Sequence, residues 1–112
     1  MRTYEGMVRR LIHTIASVTI TEEIALVSCL GSGPYDVTLP TAQDAAGLIF
    51  VIRCDDNTIA GNVRAVAEAG DGANIYIDDA AAAANLTMTA IDDYTILYSD
   101  GNNWYQLAGV QT

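Results

Sequence analysis

The side chains that could do chemistry in this chain are few: one histidine, two cysteines and fourteen acids. A Ser-His-Asp or Cys-His arrangement would have to use His13, the sole imidazole. His13 sits in Leu11-Ile12-His13-Thr14-Ile15, among aliphatic and β-branched residues with no nucleophile motif beside it. It reads as a structural or interface histidine, and no catalytic residue is assigned. Three acidic pairs, Asp55-Asp56, Asp78-Asp79 and Asp92-Asp93, could offer oxygen ligands to Ca²⁺. None has the alternating acid spacing and glycine of a loop cage, so they read as solvated turn acids, and no metal is assigned. Paired carboxylates could also supply the acid and base of glycoside hydrolysis. Here they fall in turns with no convergent pocket, so the chain is expected not to be an enzyme. Gly70-Asp71-Gly72 lacks the lysine and the strand-to-helix context of a phosphate loop and reads as a turn. Cys29 and Cys54 lie inside apolar runs, where free thiols behave as small hydrophobes; a disulfide between them is the alternative. Two cysteines and one histidine are too few for a zinc site, and no cofactor is expected.

What must position any such groups is a small, acidic, apolar-rich body. A chain of 112 residues forms one domain able to bury roughly two-thirds of its unfolded surface. The apolar fraction of 51% against 17% charged residues excludes a disordered chain. The net charge is −9, there is no lysine, and three of the five arginines (Arg2, Arg9, Arg10) lie in the first ten residues. Without a basic stripe the body is not a nucleic-acid binder, since phosphate recognition needs clustered Lys or Arg. No apolar run approaches the ~18 residues of a membrane helix, and the run from Leu11 to Ala16 is too short and polar for a signal peptide. Assembly in a cytoplasm is expected, with no membrane partner.

Residues 1–10 show no clean period and read as an N-terminal arm, leaving residues 11–112 as the domain. The alternation from Arg10 to Ile20 predicts a long strand, bent midway. Further strands are predicted at Ile24–Leu30, Tyr35–Leu39, Leu48–Cys54, Asn62–Ala67, Ala73–Ile77 and Leu86–Ala90. Gly31-Ser32-Gly33-Pro34 supplies a loop, and Thr41 to Gly47 resembles one helical turn with Thr41 as its cap. Asp78 to Asn85, with its alanine run, reads as a loop carrying at most one helical turn. The runs Ile12–Ile20 and Leu48–Cys54 are apolar on both faces, which suits either central strands or a face covered by another subunit.

The clearest local signal comes last. Tyr94–Ser99 and Asn103–Ala108 flank Asp100-Gly101-Asn102, and Gly and Asn tolerate the positive φ of tight turns, so a β-hairpin is predicted. Simple alternation puts Asn103, Tyr105 and Leu107 on one face, and Trp104, Gln106 and Ala108 on the other. About eight or nine short strands with almost no helix predict an all-β sandwich or barrel.

Ser99-Asp100-Gly101-Asn102-Asn103-Trp104-Tyr105 resembles the closing hairpin of small β domains in bacteriophage virion proteins: tail fibres, neck appendages and capsid decoration (cement) proteins. Val37-Thr38-Leu39-Pro40 and Phe50-Val51-Ile52-Arg53 also match, so the likeness spans roughly residues 35–107. Arg53 stands where that family often has lysine, and the alanine run has no counterpart in it. The resemblance implies an antiparallel, jelly-roll-like β-sandwich of about eight strands that assembles as a homotrimer. It implies a structural protein of the virion, on the capsid surface, whose partners are itself and the major capsid protein. Arg2, Tyr4, Met7, Arg9 and Arg10 are then the candidate docking residues, and Asp100, Gly101, Asn102, Trp104 and Tyr105 the structural hairpin. The second expectation is a small tail-fibre or baseplate component that binds a host surface glycan or the fibre base. Exposed tyrosines among Tyr4, Tyr35, Tyr76, Tyr98 and Tyr105, clustered at a loop tip, would favour it.

Overall fold

The computed structural model describes residues 9–31, 33–55, 63–77 and 85–110. Ten strands and no helix are found there: β1 (Arg10–Thr14), β2 (Val18–Thr19), β3 (Ile24–Cys29), β4 (Tyr35–Thr38), β5 (Ile49–Cys54), β6 (Val63–Val66), β7 (Ile75–Tyr76), β8 (Asn85–Met88), β9 (Tyr94–Ser99) and β10 (Trp104–Val110). They form a six-stranded sheet in the order β1-β3-β5-β9-β10-β7 and a four-stranded sheet in the order β2-β4-β6-β8. The expected long strand from Arg10 to Ile20 is broken at Ile15-Ala16-Ser17, and its two parts join different sheets. The alanine run, from Ala80 to Ala84, lies outside the described residues.

The chain alternates between the two sheets from β1 to β9. As a result β1, β3 and β5 run parallel in one sheet, and β2, β4 and β6 run parallel in the other. This corrects the expectation of a purely antiparallel, jelly-roll-like sandwich. A parallel pair needs a crossover, and here each crossover is a strand of the opposite sheet rather than a helix. The chain thus makes three turns of a flattened coil. β9 and β8 then close the two sheets by antiparallel pairing on β5 and β6.

One core joins the layers. From the six-stranded sheet come Val27, Cys29, Phe50, Ile52, Cys54, Ile75, Leu97 and Trp104; from the other come Val37, Val63, Ala65, Leu86 and Met88, all buried. Trp104 closes one end with its ring edge against Phe50, centroids 5.3 Å apart. The Thr41 turn forms as its residues suggest. Thr41 Oγ1 accepts the amide of Asp44, Thr41 O accepts that of Ala45, and Gly47 has φ of 83°. It stops at a single turn.

The predicted hairpin is present and well satisfied. Asp100 Oδ1 accepts the amides of Asn102 and Asn103 at 2.9 Å each, Ser99 Oγ accepts that of Gly101, and Gly101 takes φ of 101°. Those amides hold the Asp100 carboxyl below its ordinary range. Asn103 Oδ1 accepts the Asn74 amide, which ties the turn to the start of β7. The facing departs from simple alternation at one point. Gln106 pairs with Leu97 but Ala108 pairs with Ile96, so Leu107 is an extra, bulged residue. Beyond it the parity flips, and Ala108 shares a face with Tyr105 while Gly109 turns inward. Gly109 is required there, because a methyl group would overlap the Gln106 amide and lie 2.8 Å from Tyr94 O. Without it, Gln106 reaches Thr95 Oγ1 at 3.1 Å and satisfies that buried hydroxyl.

Candidate functional site: the outer face of the six-stranded sheet

Most groups that could do chemistry are engaged in holding the fold. Asp93 is buried, and its Oδ2 accepts the amides of Thr89 and Ala90, building the turn into β9. Asp92 Oδ1 and Asp55 Oδ1 flank the Arg53 guanidinium at 2.8 and 2.6 Å, and Ser28 Oγ donates to Asp55 Oδ2. Asp56, Asp78 and Asp79 lie outside the described residues. Among the described residues no three of His, Cys, Asp and Glu come together to hold a metal ion. A recess of about 340 Å³ lies beside Pro34, Tyr35, Asp36 and Arg64, but its charges are paired, with Arg64 bonded to both Asp36 oxygens at 2.8 and 3.0 Å.

Cys29 and Cys54 are free, buried and direct neighbours in the parallel register of β3 and β5. Burial is the main reason that both thiols are pushed up, to about 12 for Cys29 and about 11 for Cys54. A thiol so reluctant to ionise is a poor nucleophile and a poor metal ligand.

The arginines of the expected docking arm divide. Arg2, Tyr4 and Met7 lie outside the described residues. Arg9 turns onto the body: its guanidinium donates to Glu22 O at 3.0 Å, Ile49 O at 2.5 Å and Ile24 O at 3.4 Å, and stands 4.5 Å over the Phe50 ring. Arg10 opens β1, with its amide on Glu23 O and its side chain 3.8 Å from the Glu23 carboxylate.

What the structure leaves open is a surface. Residues in register on adjacent strands share a face. Following the pairings outward gives one row of Leu11, Leu26, Val51, Ile96 and Ala108, crossing five strands without a polar side chain. A second row runs Ile49, Tyr98, Tyr105, Tyr76. A third runs His13, Ser28, Arg53, Tyr94, Val110. Leu11, Ile49 and Val110 are about half exposed, at 50%, 47% and 51%. The other sheet is the contrast. Its outward rows are Thr19-Thr38-Val66-Asn85 and Asp36-Arg64-Thr87, an ordinary solvated face.

Of the five tyrosines whose clustering at a loop tip would favour the glycan reading, three come together, but on this sheet face. Tyr76 stacks on Tyr105 at 5.2 Å and Tyr105 on Tyr98 at 5.3 Å, with ring planes 13° and 25° apart. Tyr35 is buried and donates to Gly31 O, and Tyr4 lies outside the described residues. Desolvation and the Asp100 carboxylate both push the Tyr105 hydroxyl up. The rings of the row cover one another's faces.

The apolar row was half legible beforehand. Two-sided apolar character marked Leu48–Cys54, but neither the partners of Val51 nor the bulge that brings Ala108 into the row has a local signature. Comparison with family models, with curated proteins and with solved structures finds no match to this chain.

Proposed function

We propose that this chain is a structural virion protein: a bacteriophage capsid decoration (cement) protein that binds the outer capsid surface as a trimer and stabilises the head. The observation that carries the reading is the contrast between the two outward faces. One is polar and solvated, while the other is apolar and, among the described residues, uncovered, in a domain whose described titratable groups are largely engaged in its own turns and ion pairs. A surface of that kind serves assembly rather than catalysis. The hairpin from Ser99 to Tyr105, on which the resemblance to virion proteins rests, is formed and pinned as a rigid closing element. The net charge of −9 suits a protein held soluble at high copy number until it docks.

The docking arm is residues 1–8 in this reading, since Arg9 and Arg10 are tied to the body. Its major partner is the capsid protein, reached in the host cytoplasm during assembly. The test is the copy number of this chain in purified particles, by quantitative mass spectrometry against the major capsid protein. A count commensurate with the head lattice supports decoration. A handful of trimers per particle moves the chain to the tail or a vertex, and absence from particles ends the proposal.

One observation favours the second reading, a tail-fibre or baseplate component that binds a host glycan: the row Tyr76-Tyr105-Tyr98. Sugars stack on exposed ring faces, whereas these rings are stacked on each other and leave only the ends of the row free. The row therefore weighs more as a stiff part of a contact surface than as a sugar platform.

A further inference from the structure

We propose that the outer face of the six-stranded sheet is the site where a second copy of this chain packs, sheet against sheet. The inference rests on the assembly reading above and adds to it a two-fold contact between two copies, separate from the contacts that would close a trimer. Three features of the face point to self-association.

The first is the strand sequence. Strands buried on both faces read as near-continuous apolar runs, which β4 and β6 of the solvated sheet, Tyr-Asp-Val-Thr and Val-Arg-Ala-Val, do not. β3 reads Ile-Ala-Leu-Val-Ser-Cys and β5 reads Ile-Phe-Val-Ile-Arg-Cys. Within the described residues, only the inner face of these strands is covered.

The second is area. Six strands at about 4.8 Å spacing and three outward rows about 6.7 Å apart give a face of roughly 500 Å² once side-chain width is added. Two copies meeting on it would bury about 1,000 Å² in total, where specific interfaces begin.

The third is charge. A molecule of net charge −9 meets its own copy at a cost unless the contact is uncharged. The central row carries no ionisable side chain, and the tyrosine row beside it is neutral. Arg53, in the third row, is already paired with Asp55 and Asp92. A flat aliphatic stripe is complementary to itself, so the face can meet its own copy in an isologous contact, with β-sheets about 10 Å apart.

Sedimentation of the full-length purified chain from about 1 to about 100 µM tests this directly. The wild-type chain is expected to associate within that range. Ala108→Arg places a charge on the exposed end of the row and should raise the concentration of half-association at least about tenfold. Thr87→Arg makes the same charge change on the solvated face of the other sheet and should leave association unchanged. Leu11→Glu, at the opposite end of the row, is the second variant, and thermal unfolding of all three shows that each is folded. A chain that stays monomeric throughout, or an oligomer that both Ala108→Arg and Leu11→Glu leave intact, overturns the inference. If a monomeric chain binds purified heads and Ala108→Arg abolishes that binding, the capsid is the occupant; self-association is then refuted while the decoration reading stands. An oligomer that depends on Ala108 but is absent from particles gives the reverse outcome.

Discussion

Arg9 separates a structural role from a docking role, and its removal can be worked through from the geometry. The side chain crosses from the start of β1 to the backbone of two other elements, donating to the carbonyls of Glu22, Ile24 and Ile49. It also places its cation 4.5 Å from the Phe50 ring centroid. Each charge-assisted bond to a partly exposed carbonyl is worth about 0.5–1 kcal/mol net, because water can replace it when the side chain is cut back. The cation–π contact adds about 0.5–1 kcal/mol at a half-buried site. Arg9→Ala should therefore destabilise the domain by about 2–4 kcal/mol, a large share of the ~5–15 kcal/mol of a typical domain. Arg9→Lys keeps the charge but not the fork, and should recover less than half of that loss. Urea unfolding followed by Trp104 fluorescence measures both, with an unchanged slope showing that the midpoint reports stability. A loss below about 1 kcal/mol for Arg9→Ala would falsify the clamp and return Arg9 to the arm. Removing residues 1–10 takes the clamp with it and should cost at least as much as Arg9→Ala.

The paired thiols give a pH signature. Both are ordinary acids near 9.0 when unfolded and are raised in the fold to about 12 and about 11, while Tyr35 rises from 10.0 to about 12. Below pH 9 all three are protonated in both states and stability is indifferent to them. Above it the unfolded chain loses protons first, so stability should fall steadily between about pH 9 and 12; a flat urea midpoint across that window refutes the assignment. At pH 8 a thiol reagent should titrate both cysteines only after denaturation, and fast reaction of the native protein would contradict their burial. Gly109→Ala should cost about 1–3 kcal/mol, since the added methyl meets the Gln106 amide and a backbone carbonyl; a neutral effect in urea would remove the bulge argument. Trp104→Ala should cost about 3–5 kcal/mol by opening a cavity against Phe50. Trp104→Phe should cost clearly less, because among the described residues the buried indole Nε1 has no hydrogen-bond partner to lose; equal losses for the two variants would show that the indole N–H is bonded after all.

Local patterns determined much of this protein. The alternation of apolar residues placed most of the strands, and the hairpin at Asp100-Gly101-Asn102 follows from side chains that bond their own backbone within three residues. The Thr41 turn and the burial of both cysteines were likewise readable, because each depends on neighbours close in the chain; the acidic pairs read as solvated turn residues, whereas Asp93 is buried and Asp55 and Asp92 are bonded to Arg53. The pairing of strands was not. β1 meets β3, and β3 meets β5, across connections that run through the other sheet, and an apolar run reads the same whether its neighbours are parallel or antiparallel. The Leu107 bulge was equally hidden, since it arises from the register between two strands rather than from either one. Arg9 looked like part of a basic arm because nothing local reveals that Ile49 O and the Phe50 ring lie within its reach. The apolar outer face is the sum of these non-local decisions. Composition says only that about half of the side chains are apolar, not where they gather. Only the tertiary structure, by aligning Leu11, Leu26, Val51, Ile96 and Ala108 across five strands, gathers some of them into one surface.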